Sequence, residues 1–100
     1  MQITEERTDH TVTLIVSGRI DVNSSATLEA EVMKWVPSPV VWRLVLDFAG
    51  VEYISSAGVR VLLAAQKKKK EDHELIIRRP SPFCRQVFEV TGADIFLTIA

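Results

Sequence analysis

From Thr11 to Ser17 apolar and polar positions alternate, with Val12, Leu14 and Val16 on one row and Thr11, Thr13 and Ser17 on the other. That two-residue period predicts a strand with one buried face, interrupted on its polar row by Ile15. Met1 to Arg7 reads as a preceding strand, and the polar Thr8-Asp9-His10 between the two suits a hairpin turn. Beyond Gly18-Arg19-Ile20-Asp21 the spacing changes to three and four, and Leu28, Val32 and Trp35 or Val36 predict a helix. Asn23 or Ser24 can cap its start, and Pro37-Ser38-Pro39 ends it. Leu44-Val45-Leu46-Asp47-Phe48 shows little alternation, as in a central strand covered on both faces, and runs into a loop. A second helix begins near Ser55-Ser56, presents Val59, Leu62, Leu63 and Gln66, and reaches Lys67-Lys68-Lys69-Lys70. Leu75-Ile76-Ile77 predicts a fourth strand. Ser81 offers an N-cap with Pro82 at the first position of a third helix, whose buried face is marked by Phe83, Val87 and Val90. Gly92 ends it in a left-handed conformation, and Ile95-Phe96-Leu97-Thr98 forms the last strand.

The resulting order, β-β-α-β-α-β-α-β, predicts an α/β fold with a mixed, mostly parallel sheet and packed helices. Right-handed crossovers follow. One hundred residues make one domain, 1–100, and an apolar content of 47% supplies a core without metal or disulfide staples. Twelve basic against thirteen acidic residues give a net charge of -1, so no overall field recruits nucleic acid or an anionic membrane. Residues 1–7 form no apolar signal stretch and no run is long enough to span a bilayer. With the single Cys84, these features lead us to expect a cytoplasmic protein without membrane insertion.

The chemistry concentrates between Leu44 and Leu63, where a hydrophobic strand leads to two hydroxyls at the mouth of a helix. N-H groups of a helix's first turn lack intrahelical partners, and the macrodipole places partial positive charge there. A phosphate on Ser55 or Ser56 is therefore accommodated with little reorganisation, while adding about -1.5 to -2 charge to the surface. Capping alone also explains a serine here. Elsewhere the residues favour plain structural roles. The lysine tract suits a solvated helix end and is followed by Glu71, Asp72 and Glu74; His10, His73 and Cys84 lack metal-ligand or catalytic spacing.

The segment Asp47 to Leu63, with its strand followed by Ser55-Ser56-Ala57-Gly58, resembles the STAS family, the domain of sulfate transporters and anti-sigma factor antagonists. Gly18-Arg19-Ile20-Asp21 is similar to the family's glycine-x-(Leu/Ile)-Asp ending of the second strand, and Thr91-Gly92 before Phe96 to its closing element. The resemblance covers nearly the whole chain and implies a small α/β domain that binds signalling partners and has no catalytic activity. Anchored on Gly58 and Val59, it places Ser56 at the phosphoacceptor serine, with Ser55 the less favoured alternative. Ser55 itself stands where regulated members often carry Asp. The implied function is an anti-sigma factor antagonist that binds a serine-kinase anti-sigma factor and is switched off by phosphorylation at Ser56. A phosphatase resets it. Asp21, Asn23, Ser24, Ser55, Val59 and Arg60 form the expected partner-binding set. The kinase brings ATP and magnesium, so the chain is expected to hold no cofactor or metal. Two other readings remain open: a constitutive STAS scaffold or adaptor subunit of a signalling or transport complex, and a nucleotide or small-molecule binding protein. Against the last stands the lack of a convergent acid, base and nucleophile.

Overall fold

The computed structural model describes residues 1–100 and contains β1 (Gln2–Thr8), β2 (Thr11–Ile20), α1 (Ser25–Trp35), β3 (Arg43–Ile54), α2 (Ser56–Lys68), β4 (Glu74–Arg78), α3 (Pro82–Thr91), a 3-10 turn (Ala93–Ile95) and β5 (Thr98–Ile99). The sheet order is β1-β2-β3-β4-β5. β1 and β2 are antiparallel and the remaining neighbours parallel, so the expected mixed sheet is the observed one. The hairpin turn is Asp9-His10, with Thr8 paired to Thr11 and Asp9 at a φ of 52°. Aspartate is among the few side chains that tolerate this left-handed conformation.

Register explains the layering. Val12 pairs with Leu44 and Leu14 with Leu46, while Leu44 pairs with Leu75 and Leu46 with Ile77. This row joins Leu28 and Val32 of α1, Val59, Leu62 and Ala65 of α2, and Cys84 and Phe88 of α3 in one core. The alternate row, Thr13, Val45, Ile76 and Thr98, lies on the other face of the sheet. β3 is the central strand, as its apolar run predicts.

Three expectations need correction. First, β3 does not give way to a loop after Phe48; it continues to Ile54 through two irregularities against β2. Ile15 pairs with Asp47 but Ser17 with Gly50, and Gly18 pairs with Val51 but Arg19 with Tyr53. Each step inserts one extra residue in β3, so Phe48, Val51 and Ile54 all reach the core at a spacing of three. The alternation that reveals a strand is lost there. Second, α3 buries Cys84 and Phe88, whereas Phe83 and Val90 are exposed and Val87 is half-buried. Its sequence carries two adjacent apolar rows, and periodicity cannot choose between them. Third, Ile95 and Phe96 are exposed and not in a strand. Phe96 and Leu97 N-H both bond to Ala93 O, curling the chain, and only Thr98–Ile99 pairs with β4. The caps at Ser81 and Gly92 are as predicted: Ser81 Oγ accepts the Cys84 N-H at 3.3 Å, and Gly92 has a φ of 76°. Of the lysine tract, Lys67 and Lys68 lie in α2's last turn, while Lys69 is already extended.

One charge is buried in the sheet. Asp47, 2% exposed, accepts the Ala49 N-H at 3.1 Å through Oδ1 and hydrogen bonds from Arg79 and, at 3.4 Å, Arg78 through Oδ2. Burial alone would raise the pKa of Asp47, but the Arg79 hydrogen bond, the Ala49 N-H and the two arginine charges outweigh it and hold it below the ordinary carboxylate value. These contacts accompany an unusual backbone: Arg79 has a φ of 53° and donates its N-H to Ala100 O. Because the folded pKa is depressed, the stabilisation is complete above the unfolded value and is lost as pH falls through the folded one. Urea midpoints measured from about pH 6 down to about pH 3 should fall in the wild type, and Asp47→Asn should give a flatter acid limb from a lower plateau. Parallel limbs would show that Asp47 titrates alike in both states.

Candidate functional site

At the C-terminal ends of β2 and β3, α2 begins against the sheet. Ser55 is extended, with φ -84° and ψ 168°, and its Oγ accepts the Gly58 N-H at 3.2 Å. Its own N-H donates to Ile20 O at 2.8 Å, tying the mouth of α2 to the end of β2. Ser55 is therefore a buried N-cap, 7% exposed. Ser56, one residue on, is the first residue of the helix and is exposed. The two adjacent hydroxyls occupy different environments.

Gly58 sets how closely the helix approaches. A Cβ at this position would lie 2.7 Å from Ile20 Cγ2 and 2.8 Å from Ile54 Cγ1. Only hydrogen fits between α2 and the two strand ends.

Asp21 follows Ile20 and opens the turn that leads into α1. Its carboxylate accepts the Ser24 N-H at 2.8 Å, Ser24 Oγ accepts the Asp21 N-H at 2.9 Å, and Asp21 O accepts the Ser25 N-H at 2.9 Å. These bonds close the turn that leads into α1, whose N-cap position is Ser24 as the sequence suggests, although the Ser24 side chain is turned to Asp21 and not to the helix. Ser24 makes no capping bond into α1; its Oγ also donates to Arg19 O. The hydrogen bond from the Ser24 N-H, reinforced by the Ser24 hydroxyl, lowers the Asp21 pKa.

The residues expected to meet a partner separate accordingly. Asn23, Ser56 and Arg60 are exposed and Asp21 is half-buried. Val59 is 4% exposed and packs in the core, so it is not part of the surface. The Ser55 hydroxyl is engaged in the α2 cap and the Ser24 hydroxyl in bonds to Asp21 and Arg19. Sequence reasoning passed over Val22, 71% exposed beside Asp21; an apolar residue inside a polar turn was its signal. Between α1 and α2 runs a shallow groove lined by Ala26 and Glu29 on one side and Ala57, Arg60 and Ala64 on the other.

Other sequence features lie apart from this site. His10 stacks on Trp42 at a ring separation of 3.7 Å and bonds to Val40 O at the opposite ends of the parallel strands. Cys84 is buried beside Val51 O, and burial raises its pKa. No group of three or more His, Cys, Asp or Glu side chains is arranged to hold a metal ion. No helix is long and apolar enough to cross a membrane.

The family model described as "Mlab, STAS domain" matches residues 3–98. The chain belongs to the STAS domain family. This STAS domain is 35% identical over 100 residues to BtrV of Bordetella bronchiseptica, a protein named as an anti-sigma factor antagonist, covering 99% of this chain and 83% of BtrV. It superposes on an anti-sigma factor antagonist from Mycobacterium paratuberculosis with a TM-score of 0.87 and 26% identity, covering 98% of this chain and 83% of that one. On unphosphorylated SpoIIAA, described as an anti-sigma factor antagonist, the TM-score is 0.82 with 22% identity, covering 99% and 88% of the two chains. Phosphorylated Bacillus SpoIIAA gives 0.75 at the same identity, covering 99% and 91%. The SpoIIAA likeness speaks to the fold.

Two substitutions test this geometry. Gly58→Ala should destabilise by about 1 to 3 kcal/mol through overpacking against Ile20 and Ile54, read as a lower urea midpoint at unchanged m value. Ser55→Ala should cost about 0.5 to 2 kcal/mol through loss of the cap. An unchanged midpoint in either variant would contradict the corresponding contact.

Proposed function

We propose that this STAS domain is an anti-sigma factor antagonist that binds a serine-kinase anti-sigma factor and is released when Ser56 is phosphorylated. The supporting observation is the division of labour between adjacent serines: Ser55 is buried as the cap, and Ser56 presents its hydroxyl at the surface. The names of BtrV and the Mycobacterium protein support the antagonist role, and the two forms of SpoIIAA give precedent for phosphorylation on this fold.

In the reaction the kinase transfers the γ-phosphoryl group of its ATP to Ser56 Oγ, with loss of the hydroxyl proton and release of ADP. The kinase supplies the nucleotide and magnesium; this chain is the substrate. The new group carries about -1.5 to -2 charge and meets the positive end of α2, where the helix dipole favours an anion. The domain therefore tolerates it. A docked protein meets the same charge as repulsion or as an unpaired buried anion, and a few kcal/mol of either changes affinity by orders of magnitude. The docking face we assign comprises Ser56, Arg60 one turn along α2, and Asp21, Val22 and Asn23 of the turn that follows Ile20, whose carbonyl accepts the Ser55 N-H; a phosphatase resets the switch.

Incubation with the cognate kinase should add one phosphate, read by mass spectrometry, and Ser56→Ala should abolish it. Ser56→Asp should weaken partner binding about tenfold or more while leaving stability within about 0.5 kcal/mol. Modification confined to Ser55 would refute the assignment. A second reading draws on Ser55 itself, which stands where regulated members carry Asp: the domain is a constitutive adaptor, bound to its partner and never phosphorylated. Intact binding without incorporation of phosphate would select it.

A further inference from the structure

Ser56 and Arg60 are four residues apart on α2. In a helix this spacing places side chains on one face, with Cβ atoms about 5 to 6 Å apart. Both residues are exposed. Arg60 takes part in none of the ion pairs, which join Lys34 to Glu31, His73 to Asp72, and Asp47 to Arg78 and Arg79. Its side chain also makes no hydrogen bond and stacks on no ring; the stacked arginines are Arg7 and Arg19. The carboxylate facing it across the groove is Glu29 of α1, which also remains unpaired with it. Arg60 is thus an uncommitted cation one turn from the exposed hydroxyl.

We propose that Arg60 is the intramolecular counter-ion of phosphorylated Ser56. Its planar fork of donors matches a phosphate bidentately. An anion four residues N-terminal to a cation is also the favourable order for such a pair, and residue 56, the first of α2, sits where the macrodipole favours negative charge. Phosphorylation would consequently change the docking face twice, adding negative charge at residue 56 and engaging the positive charge of residue 60. A partner carboxylate that meets Arg60 in the unmodified protein loses its counter-charge as the phosphate appears. This inference rests on Ser56 as the phosphoacceptor, but its test does not require a kinase.

Phosphoserine is installed at position 56 during synthesis of the full chain, and its second ionisation is followed by phosphorus NMR in the otherwise wild-type chain, Arg60→Gln and Arg60→Lys. The ordinary value is about 6. With Arg60 in place it should lie about 0.3 to 0.7 of a pH unit lower than in Arg60→Gln. Arg60→Lys should retain part of the difference, which should shrink at high salt. The N-terminus of α2 acts on the phosphate in every variant, so the difference isolates residue 60. Coincident titrations with Arg60 and with Arg60→Gln would overturn the pairing while leaving the Ser56 switch standing. A kinase that ignores Ser56 would instead remove the switch while leaving the measured pairing intact.

Discussion

The contact between the first turn of α2 and the ends of β2 and β3 governs the site, because a side chain at residue 58 would force them apart. Ile20 Cγ2 and Ile54 Cγ1 already stand within 3 Å of where a Cβ would be. With the glycine, the Ser55 N-H reaches Ile20 O and the cap bond to Gly58 closes the turn. The same approach brings Asp21, the residue after Ile20, to the mouth of α2. Two connections far apart in sequence thereby form one surface.

That contact also divides α2 into a buried side and an exposed one. Ser55 is held by its cap, and Val59 and Leu62 anchor the helix in the core, while Ser56 and Arg60 face outward. A helix N-terminus stabilises a neighbouring anion by about 0.3 to 1 kcal/mol, which is small beside a domain stability of about 5 to 15 kcal/mol. The folded state can therefore remain nearly indifferent to a negative charge at this exposed position.

Much of this was legible in the chain because regular elements advertise their period. The alternation of Val12, Leu14 and Val16 and the run at Leu44–Phe48 identify strands whose pairing the structure displays. Ser81-Pro82 and Gly92 mark the ends of α3 through local chemistry. The failures have local causes too. The irregularities of β3 replace a two-residue period by a spacing of three at Phe48, Val51 and Ile54, concealing half of the strand. In α3, Phe83-Val87-Val90 competes with Cys84-Phe88, and only tertiary packing selects the second row. At the site, Gly58 and the paired serines were visible, and the helical spacing already set Val59 beside Leu62 in the apolar stripe of α2, so its burial corrects only the partner role that the resemblance implied, whereas the exposure of Val22 depends on how the β2–α1 turn sits against the sheet.

Asp47 and Ser56 illustrate opposite uses of negative charge on the same strand-helix unit. Asp47 is nearly inaccessible and is satisfied by two arginines and a backbone N-H, so its ionisation is coupled to folding. A phosphate on Ser56 would be solvated and met by groups already present on α2, so its ionisation would be coupled weakly to folding and strongly to whatever protein covers that surface. Moving such a charge inward would make modification a test of stability; on the first exposed position of α2, as we propose, it would be a test of association. The one-residue step from Ser55 to Ser56 is what separates these outcomes, since it carries the side chain from the cap beneath the helix to the surface beside Arg60.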